Sequence, residues 1–161
     1  MFRAGASGGA LAAAVTLGGG FGFIAAGECI HERNSTEALT CHCTGYDGAE
    51  ELKKELNTVR SALRLQSQTI LPVGVGYLAW QLEKPNSPAV ELLSIALETR
   101  VRAVWFAFGS DLGHWAEFVR SHDRQAGNGH KTLVFAQIST VEEAKKAINE
   151  WKVDVVVAQG L

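Results

Sequence analysis

The chain contains 161 residues, of which 47% are hydrophobic and 20% are charged, and its formal net charge is −2. This apolar content is sufficient for one folded core, which argues against a disordered chain. The charge offers no basic surface for nucleic acid or for an anionic membrane, so we expect neither as a partner. The length is also well below the roughly 250 residues that a complete (β/α)8 barrel requires.

The first predicted elements lie in the apolar stretch at residues 4–27. A signal peptide or a membrane span would also be apolar, but Gly18, Gly19, Gly20 and Gly22 interrupt the run. A spanning helix needs about 20 continuous apolar residues. We therefore predict buried elements of a folded domain here, with no targeting signal and a cytoplasmic location as the default.

All three cysteines of the chain fall within residues 28–45, together with two histidines. Cys29, His31, Cys41 and Cys43 could supply the thiolate and imidazole ligands that zinc prefers, but Cys-x-Cys spacing is less typical of zinc sites than Cys-x-x-Cys. A disulfide would leave one cysteine unpaired. We expect no metal site and interpret residues 28–45 as an irregular insertion.

Amphipathic and apolar segments alternate from residue 50 onward. Leu52, Leu56, Val59 and Leu63 stand at helical spacing, which predicts a helix over residues 50–65. Residues 70–77 are short and apolar on both faces, as in a parallel strand covered by helices. The same alternation predicts helices over 89–99, 112–122 and 141–151, and strands over 101–108, 132–138 and 153–158.

The last predicted helix has a recognisable start. Glu143 stands three residues after Thr140, which predicts a capping box. The repeated order of strand, helix and strand predicts parallel strands joined by right-handed crossovers. An α/β fold follows, and the periodicity leaves both a doubly wound sheet and a (β/α) barrel open.

Six ordered segments carry a family resemblance. They begin with AGASGG at residues 4–9, which leads into residues 11–24, and continue with LPVGVG at 71–76 and VWF at 104–106. VFAQ at 134–137, VEEA at 141–144 and VVVAQG at 155–160 complete the series. In this order the segments resemble the nitronate monooxygenases, formerly called 2-nitropropane dioxygenases. The resemblance extends over nearly the whole chain outside the insertion.

The resemblance implies a parallel (β/α) barrel of the TIM type, with FMN above the carboxyl ends of its strands, where barrel active sites lie. Glycines there would let the backbone approach a flat ring, and the Gln137 amide could hydrogen-bond the ring or the ribityl chain. The alternative is that the glycines serve ordinary turns and that Gln137 faces solvent. The positions assigned to FMN binding are Ala4, Gly5, Gly76, Gln137, Gln159 and Gly160.

The chain departs from the family pattern at both ends. It starts without the first strand, with Arg3 where the family has methionine, and it ends at Leu161, before the loop that carries the family's catalytic histidine. Strands seven and eight, which bind the flavin phosphate in the family, are also missing, so we expect an incomplete barrel. If residues 28–45 are removed, a short family-like loop remains, which favours a retained in-frame intron over a genuine insertion.

No catalytic residue is assigned to the chain. His114 lies at the start of a helix that follows a strand, where we expect a surface or capping role, because nothing places it within reach of a substrate proton. His122 and His130 are predicted to lie in loops. The family's catalytic base is thus expected to have no counterpart among these residues.

The resemblance implies an oxidoreductase in which FMN and O2 oxidise alkyl nitronates to a carbonyl compound and nitrite, with activity impaired by truncation. The alternatives are an inactive truncated fragment and a zinc-binding module in the insertion. A related flavin barrel that reduces enoyl thioesters is the nearest enzymatic rival. We treat residues 1–161 as a single partial flavin-binding domain. Its open strand edges could promote self-association, and its other partners would be a nitronate or nitroalkane and O2.

Overall fold

The computed structural model describes residues 8–26 and 48–159, which form six helices and five strands. The predicted insertion, with its three cysteines, lies outside these residues. The helices are α1 (Gly9–Leu17), α2 (Ala49–Ala62), α3 (Ala79–Leu82), α4 (Pro88–Glu98), α5 (Leu112–Ala126) and α6 (Val141–Asn149). The strands are β1 (Phe23–Ala25), β2 (Leu71–Leu78), β3 (Val101–Ala107), β4 (Leu133–Ile138) and β5 (Val155–Ala158).

Three helices begin at side chains that accept a hydrogen bond from the first turn. Ser87 caps α4 by accepting from the Ala89 N–H at 3.2 Å. Asp111 caps α5 by accepting from the His114 N–H at 3.0 Å. At α6 the predicted capping box is confirmed, because Thr140 and Glu143 each accept from the other's N–H. Polar residues just before each apolar segment therefore determine where these helices start.

Each helix that leads into a strand is followed, within three residues, by a residue in the left-handed conformation. This conformation reverses the chain at a helix C-terminus and is easiest for glycine, because it brings the Cβ of other residues close to the backbone. The residues with positive φ after α1, α2, α4, α5 and α6 are Gly19, Arg64, Arg100, Gly127 and Lys152, respectively. Each of these turns connects its helix to the next strand in the chain.

The five strands form one parallel sheet in the sequential order β1-β2-β3-β4-β5. A doubly wound sheet would instead reverse its strand order at a switch point. The sequential strand order is that of part of a (β/α) barrel and contains no such reversal. Within the described residues the barrel is not closed, and β1 and β5 are the two outermost strands of the sheet.

The main core lies between the helices and one face of the sheet. Val73, Val75 and Tyr77 of β2 point to this face and are 0%, 0% and 2% exposed. The Tyr77 hydroxyl donates to the carbonyl of Leu92 in α4 at 3.0 Å, which places α4 on the same side. No described helix is long and apolar enough to cross a lipid bilayer.

The opposite face of the sheet carries an aromatic cluster, and we call it the aromatic face. The Phe23 ring lies 5.2 Å from that of Trp105 and 5.3 Å from that of Phe135, with edge-to-face geometry in both pairs. Gly74, which pairs with Phe23, leaves room for this ring, because a Cβ at that position would lie 2.1 Å from Phe23 Cε1. The absence of a side chain at Gly74 on β2 therefore provides the space that the Phe23 ring on β1 occupies.

Candidate functional site

The carboxyl ends of the strands form the edge at which parallel α/β proteins bind ligands. Of the six positions assigned to the cofactor, Gly76, Gln137 and Gln159 lie at or beside this edge, on β2, on β4 and directly after β5. The remaining three positions, Ala4, Gly5 and Gly160, lie outside the described residues. The structure thus brings half of the assigned set to one edge of the sheet.

Gly76 lies on the aromatic face near the end of β2. It pairs with Ala25 on one side and Trp105 on the other, and its carbonyl accepts from the Ala26 N–H at 2.9 Å. The residue is buried and its backbone is fixed by both neighbouring strands. Because glycine carries no side chain, a flat group could contact the backbone directly at this point.

Gln137 is the most informative of the assigned residues. It follows Phe135 on the aromatic face of β4, pairs with Val157, and is only 9% exposed, so it does not project into solvent. Its side-chain amide makes no hydrogen bond to any described residue, and neither amide atom is completely enclosed. Each hydrogen bond to such an amide is worth about 0.5–1.5 kcal/mol, so this side chain is suited to a polar group of a ligand.

Gln159 is exposed, but its backbone is held in place. Its N–H donates to the carbonyl of Ile138 at 3.0 Å, which fixes it one residue past the end of β5 and beside the end of β4. Gln137 and Gln159 therefore lie on adjacent strands. Gly76 lies two strands from Gln137, a separation of about 10 Å at the usual strand spacing.

A hydrogen-bonded loop joins the carboxyl ends of β2 and β3. The Glu83 carboxylate, at the end of α3, accepts from the Ser110 N–H at 2.7 Å, the Ser110 hydroxyl at 2.9 Å and the Asp111 N–H at 3.0 Å. The Trp80 N–H donates to the Phe108 carbonyl at 3.1 Å. These four bonds hold the loop at residues 108–111 against α3.

Two aromatic residues at this edge were not identified from the sequence. Phe108 directly follows β3, is 49% exposed and has a φ of 58°. Trp80 is 39% exposed, and Lys84 Nζ lies 4.4 Å from the centre of its ring. Gly109 indicates a turn in this sequence, but it gives no sign that the preceding phenylalanine adopts the left-handed conformation.

The described histidines occupy three different environments. His114 is exposed in the first turn of α5 with its ring 4.9 Å from that of Trp115, which agrees with the expected surface role, while Asp111 supplies the cap. His122 lies within α5, which continues to Ala126, so the loop position predicted for it was wrong and the helix predicted over residues 112–122 contains it. His130 does lie in a loop, but it is buried, with Nε2 3.1 Å from the Val101 carbonyl oxygen.

A polar network occupies the opposite edge, where the strands begin. Asp154 receives hydrogen bonds from Arg120 at 2.5 Å, Lys131 at 2.6 Å and the Val134 N–H at 2.8 Å. Burial alone would raise the pKa of Asp154, but these hydrogen bonds and the charge of Arg120 hold it below its usual value. The network connects α5 to β4 and the start of β5, so its role is structural.

Metal binding finds no support in the described part of the chain. Nowhere in residues 8–26 and 48–159 do three His, Cys, Asp or Glu side chains come together as a possible metal site. The alternative zinc ligands, Cys29, His31, Cys41 and Cys43, lie outside these residues. The zinc hypothesis for the insertion therefore stays a sequence-based alternative.

Comparison with known proteins agrees with the resemblance inferred from the six segments. The chain is 31% identical over 163 residues to a protein named nitronate monooxygenase from Neurospora crassa. The alignment covers 95% of this chain and 39% of that relative, so the chain spans about two fifths of the relative's length. No protein-family model matches the chain, and no solved structure does.

Proposed function

Because the chain belongs to the nitronate monooxygenase family, we propose that it contributes to an FMN site at the carboxyl edge of its sheet. The proposed reaction is the oxidation of an alkyl nitronate by O2 to a carbonyl compound and nitrite. Since the relative is much longer, this activity, its substrates and the single flavin-binding domain are all parts of the proposal. When bound, FMN would supply the redox chemistry, and the protein would bind and orient the reactants.

The observation that carries this proposal is the nearly buried amide of Gln137. The residue is 9% exposed at the end of β4, and its amide has no hydrogen-bond partner among the described side chains and backbone groups. Both its NH2 and its carbonyl oxygen are available, so it can donate to and accept from a heterocyclic ring. A flavin ring offers both kinds of group along one edge, so the residue present fits the cofactor.

Gly76 and Gln159 would complete the described part of the site. Gly76 would allow close approach of the ring to the backbone of β2, and Gln159, held beside β4, would extend the polar edge that begins at Gln137. Ala4, Gly5 and Gly160 stay in the proposed set on the strength of the family resemblance. No catalytic base is proposed within this chain.

A second candidate is a flavin-binding unit without turnover. It is favoured by the placement of the histidines, because His130 lies at the amino-terminal edge and His122 lies within α5. His114 is at the carboxyl side but is exposed and packs on Trp115. A general base must lie within hydrogen-bond reach of the substrate proton, and none of these contacts points to such a role.

The test is flavin retention by the full chain. After incubation with FMN and desalting, we expect the absorbance spectrum of bound flavin, and titration of Gln137→Leu should show about tenfold weaker binding, because one to two hydrogen bonds are lost. Gln125→Leu, which changes an exposed glutamine at the end of α5, is the matched control and should bind FMN as the wild type does. A colourless wild-type protein, or unchanged binding by Gln137→Leu, would refute the proposed site.

Turnover separates the two candidates. Oxygen uptake that depends on added nitronate, with release of nitrite, is expected if the FMN-loaded chain carries out the family reaction. Stoichiometric flavin without oxygen uptake would instead support the unit that binds flavin without turnover. Both measurements use the same desalted sample, so binding and chemistry are compared on one preparation.

A further inference from the structure

Phe108 adopts a left-handed backbone conformation that neither its residue type nor a helix C-terminus accounts for. In the described part of the chain, the other non-glycine residues with positive φ are Arg64, Asn86, Arg100 and Lys152. Three of these follow a helix that leads into a strand, and Asn86 lies in a short loop and is a residue type that tolerates this region. Phe108 instead follows a strand directly, and it is the one apolar residue in the group.

The surrounding contacts impose this conformation on Phe108. Its carbonyl accepts from the Trp80 N–H at 3.1 Å, and the next residues are held by Glu83. Gly109 is packed so closely that a Cβ there would lie 2.5 Å from the Ala79 Cβ. Glycine at position 108 would relieve the backbone strain, so a phenylalanine is present there at a cost in backbone energy.

The position of Phe108 relates it to the proposed cofactor site. Phe106 pairs with Ala136, so Ala107 is level with Gln137 on the next strand, and Phe108 lies one residue beyond that level. Adjacent parallel strands are about 5 Å apart. Phe108 therefore lies at the carboxyl end of β3, on the strand next to Gln137, where Gln137 would contact the flavin. About half of its side chain is exposed.

We propose that Phe108 is a specificity-determining residue whose ring contacts the alkyl chain of the nitronate. This proposal rests on the proposed function, because it takes the carboxyl edge as the place where substrate meets FMN. Contact with an apolar group would remove the exposed part of this phenyl ring from water, which is favourable, and the nitronate's chain is the apolar part of the substrate. Longer chains would contact more of the ring and benefit more from it.

Phe108→Gly tests the proposal with two readouts of opposite sign. The variant should unfold about 2–4 °C above the wild type, because the backbone strain is relieved. Its kcat/KM for hexane-1-nitronate should fall by at least about tenfold, with less than a twofold change for ethane-nitronate. Arg64→Gly is the matched control, since it relieves positive φ at the opposite edge of the sheet and should raise the unfolding temperature without affecting either substrate.

Binding measurements keep the test independent of turnover. Octanoate and acetate are unreactive carboxylates that share the charge and planar shape of nitronates, and their affinities for the FMN-loaded chain can be measured by calorimetry. We expect octanoate to bind more tightly than acetate, and Phe108→Gly to weaken octanoate about tenfold while leaving acetate unchanged. If the wild type binds carboxylates in this way but does not oxidise nitronates, the reaction is refuted and the role of Phe108 stands.

Two results would overturn the role of Phe108. One is an equal loss for long and short substrates in Phe108→Gly, which would indicate a general disturbance of the edge. The other is the absence of any loss, which would show that the ring does not touch the chain. Either result leaves flavin retention by the wild type, and hence the proposed site, intact.

Discussion

At the scale of single residues, the contact between Gly74 and Phe23 determines the packing of the aromatic face. Any side chain at position 74 would collide with the ring, since its Cβ would lie 2.1 Å from the nearest ring carbon. We expect Gly74→Ala to lower the free energy of unfolding by about 1–3 kcal/mol, because the ring must leave its place between Trp105 and Phe135. Urea unfolding followed by tryptophan fluorescence measures this change.

The control for this prediction is Gly18→Ala. Gly18 caps α1 with a φ of −76°, and a Cβ there would meet only ordinary contacts at 3.5 Å, so stability should change by less than about 0.5 kcal/mol. Adding Phe23→Leu to Gly74→Ala should recover part of the loss, because a smaller side chain can accommodate the new methyl group. Equal stability of the two glycine variants would show that the aromatic face has no fixed packing.

Asp154 gives the protein a specific dependence on pH. Its pKa is lowered from 3.8 in the folded state, so the carboxylate stabilises the fold above that pH, and the contribution is lost as the pH falls through the lower folded value. Asp154→Asn should be about 3 kcal/mol less stable at pH 7, because it leaves the Arg120 charge without its partner. The difference from the wild type should shrink below pH 3.8.

Unfolding by urea at pH 7 and pH 3 checks this prediction. Glu142→Gln removes an exposed carboxylate from α6 and should leave both the stability and its pH dependence nearly unchanged. A constant difference between Asp154→Asn and the wild type at both pH values would mean that the charge of Asp154 does not contribute. The amino-terminal edge would then be held together by packing alone.

At the scale of elements, α3 and the loop at residues 108–111 form one unit through Glu83. Glu83→Ala removes three hydrogen bonds, so the Ser110 and Asp111 amides should lose protection from hydrogen exchange. Exchange measured by mass spectrometry on the peptide that contains them checks this expectation. Glu98→Ala, at the exposed end of α4, is the control, and equal protection in both variants would contradict the proposed attachment.

The sequence predicted most elements because their signals are local. Leu52, Leu56 and Val59 identified the buried side of α2, and the apolar run before Leu78 identified β2 within one residue at each end. The four-residue α3 was missed, since it is too short to show a helical period. β5 begins two residues later than predicted, because Asp154 is bound to Arg120 before the strand starts.

The residues of the proposed site were predictable only in part. Gly76, Gln137 and Gln159 were assigned through the family resemblance, and the structure places them at one edge of the sheet. The conformation of Phe108 had no sequence signal, because it arises from the hydrogen bond to Trp80 and the close packing of the loop on α3. Contacts between distant segments determine such features, and local residue patterns do not record them.

At the scale of the whole molecule, large exposed apolar side chains are concentrated at the two ends of the sheet. Of the described helices, α1 and α6, which flank β1 and β5, carry most of them, and α2, α4 and α5 carry none. The distribution of these side chains and the order of the strands both depend on how distant segments assemble. The sequence therefore predicted parallel pairing of the strands but not their order in the sheet. The exposed residues on the two helices are Leu11, Val15, Leu17, Val141 and Ile148.

We expect the chain to self-associate through the exposed apolar side chains of α1 and α6. The double variant Leu17→Lys and Ile148→Lys places a charge at a highly exposed position of each helix and should lower the average mass at a given protein concentration. Asn57→Lys and Gln125→Lys add the same charge on α2 and α5 and serve as the control. Sedimentation velocity over a range of concentrations distinguishes the two, and identical behaviour would rule out association through α1 and α6.

The sequential strand order also bears on how the protein is made. Each of β2, β3, β4 and β5 pairs with the strand that precedes it in the chain, so its partner has already left the ribosome when it emerges. In a doubly wound sheet of order 3-2-1-4-5-6, strand 4 instead pairs with strand 1, so it adds to a strand made three units earlier. In this chain the sheet can instead grow by one unit at a time during translation, so the order of synthesis and the order of assembly coincide.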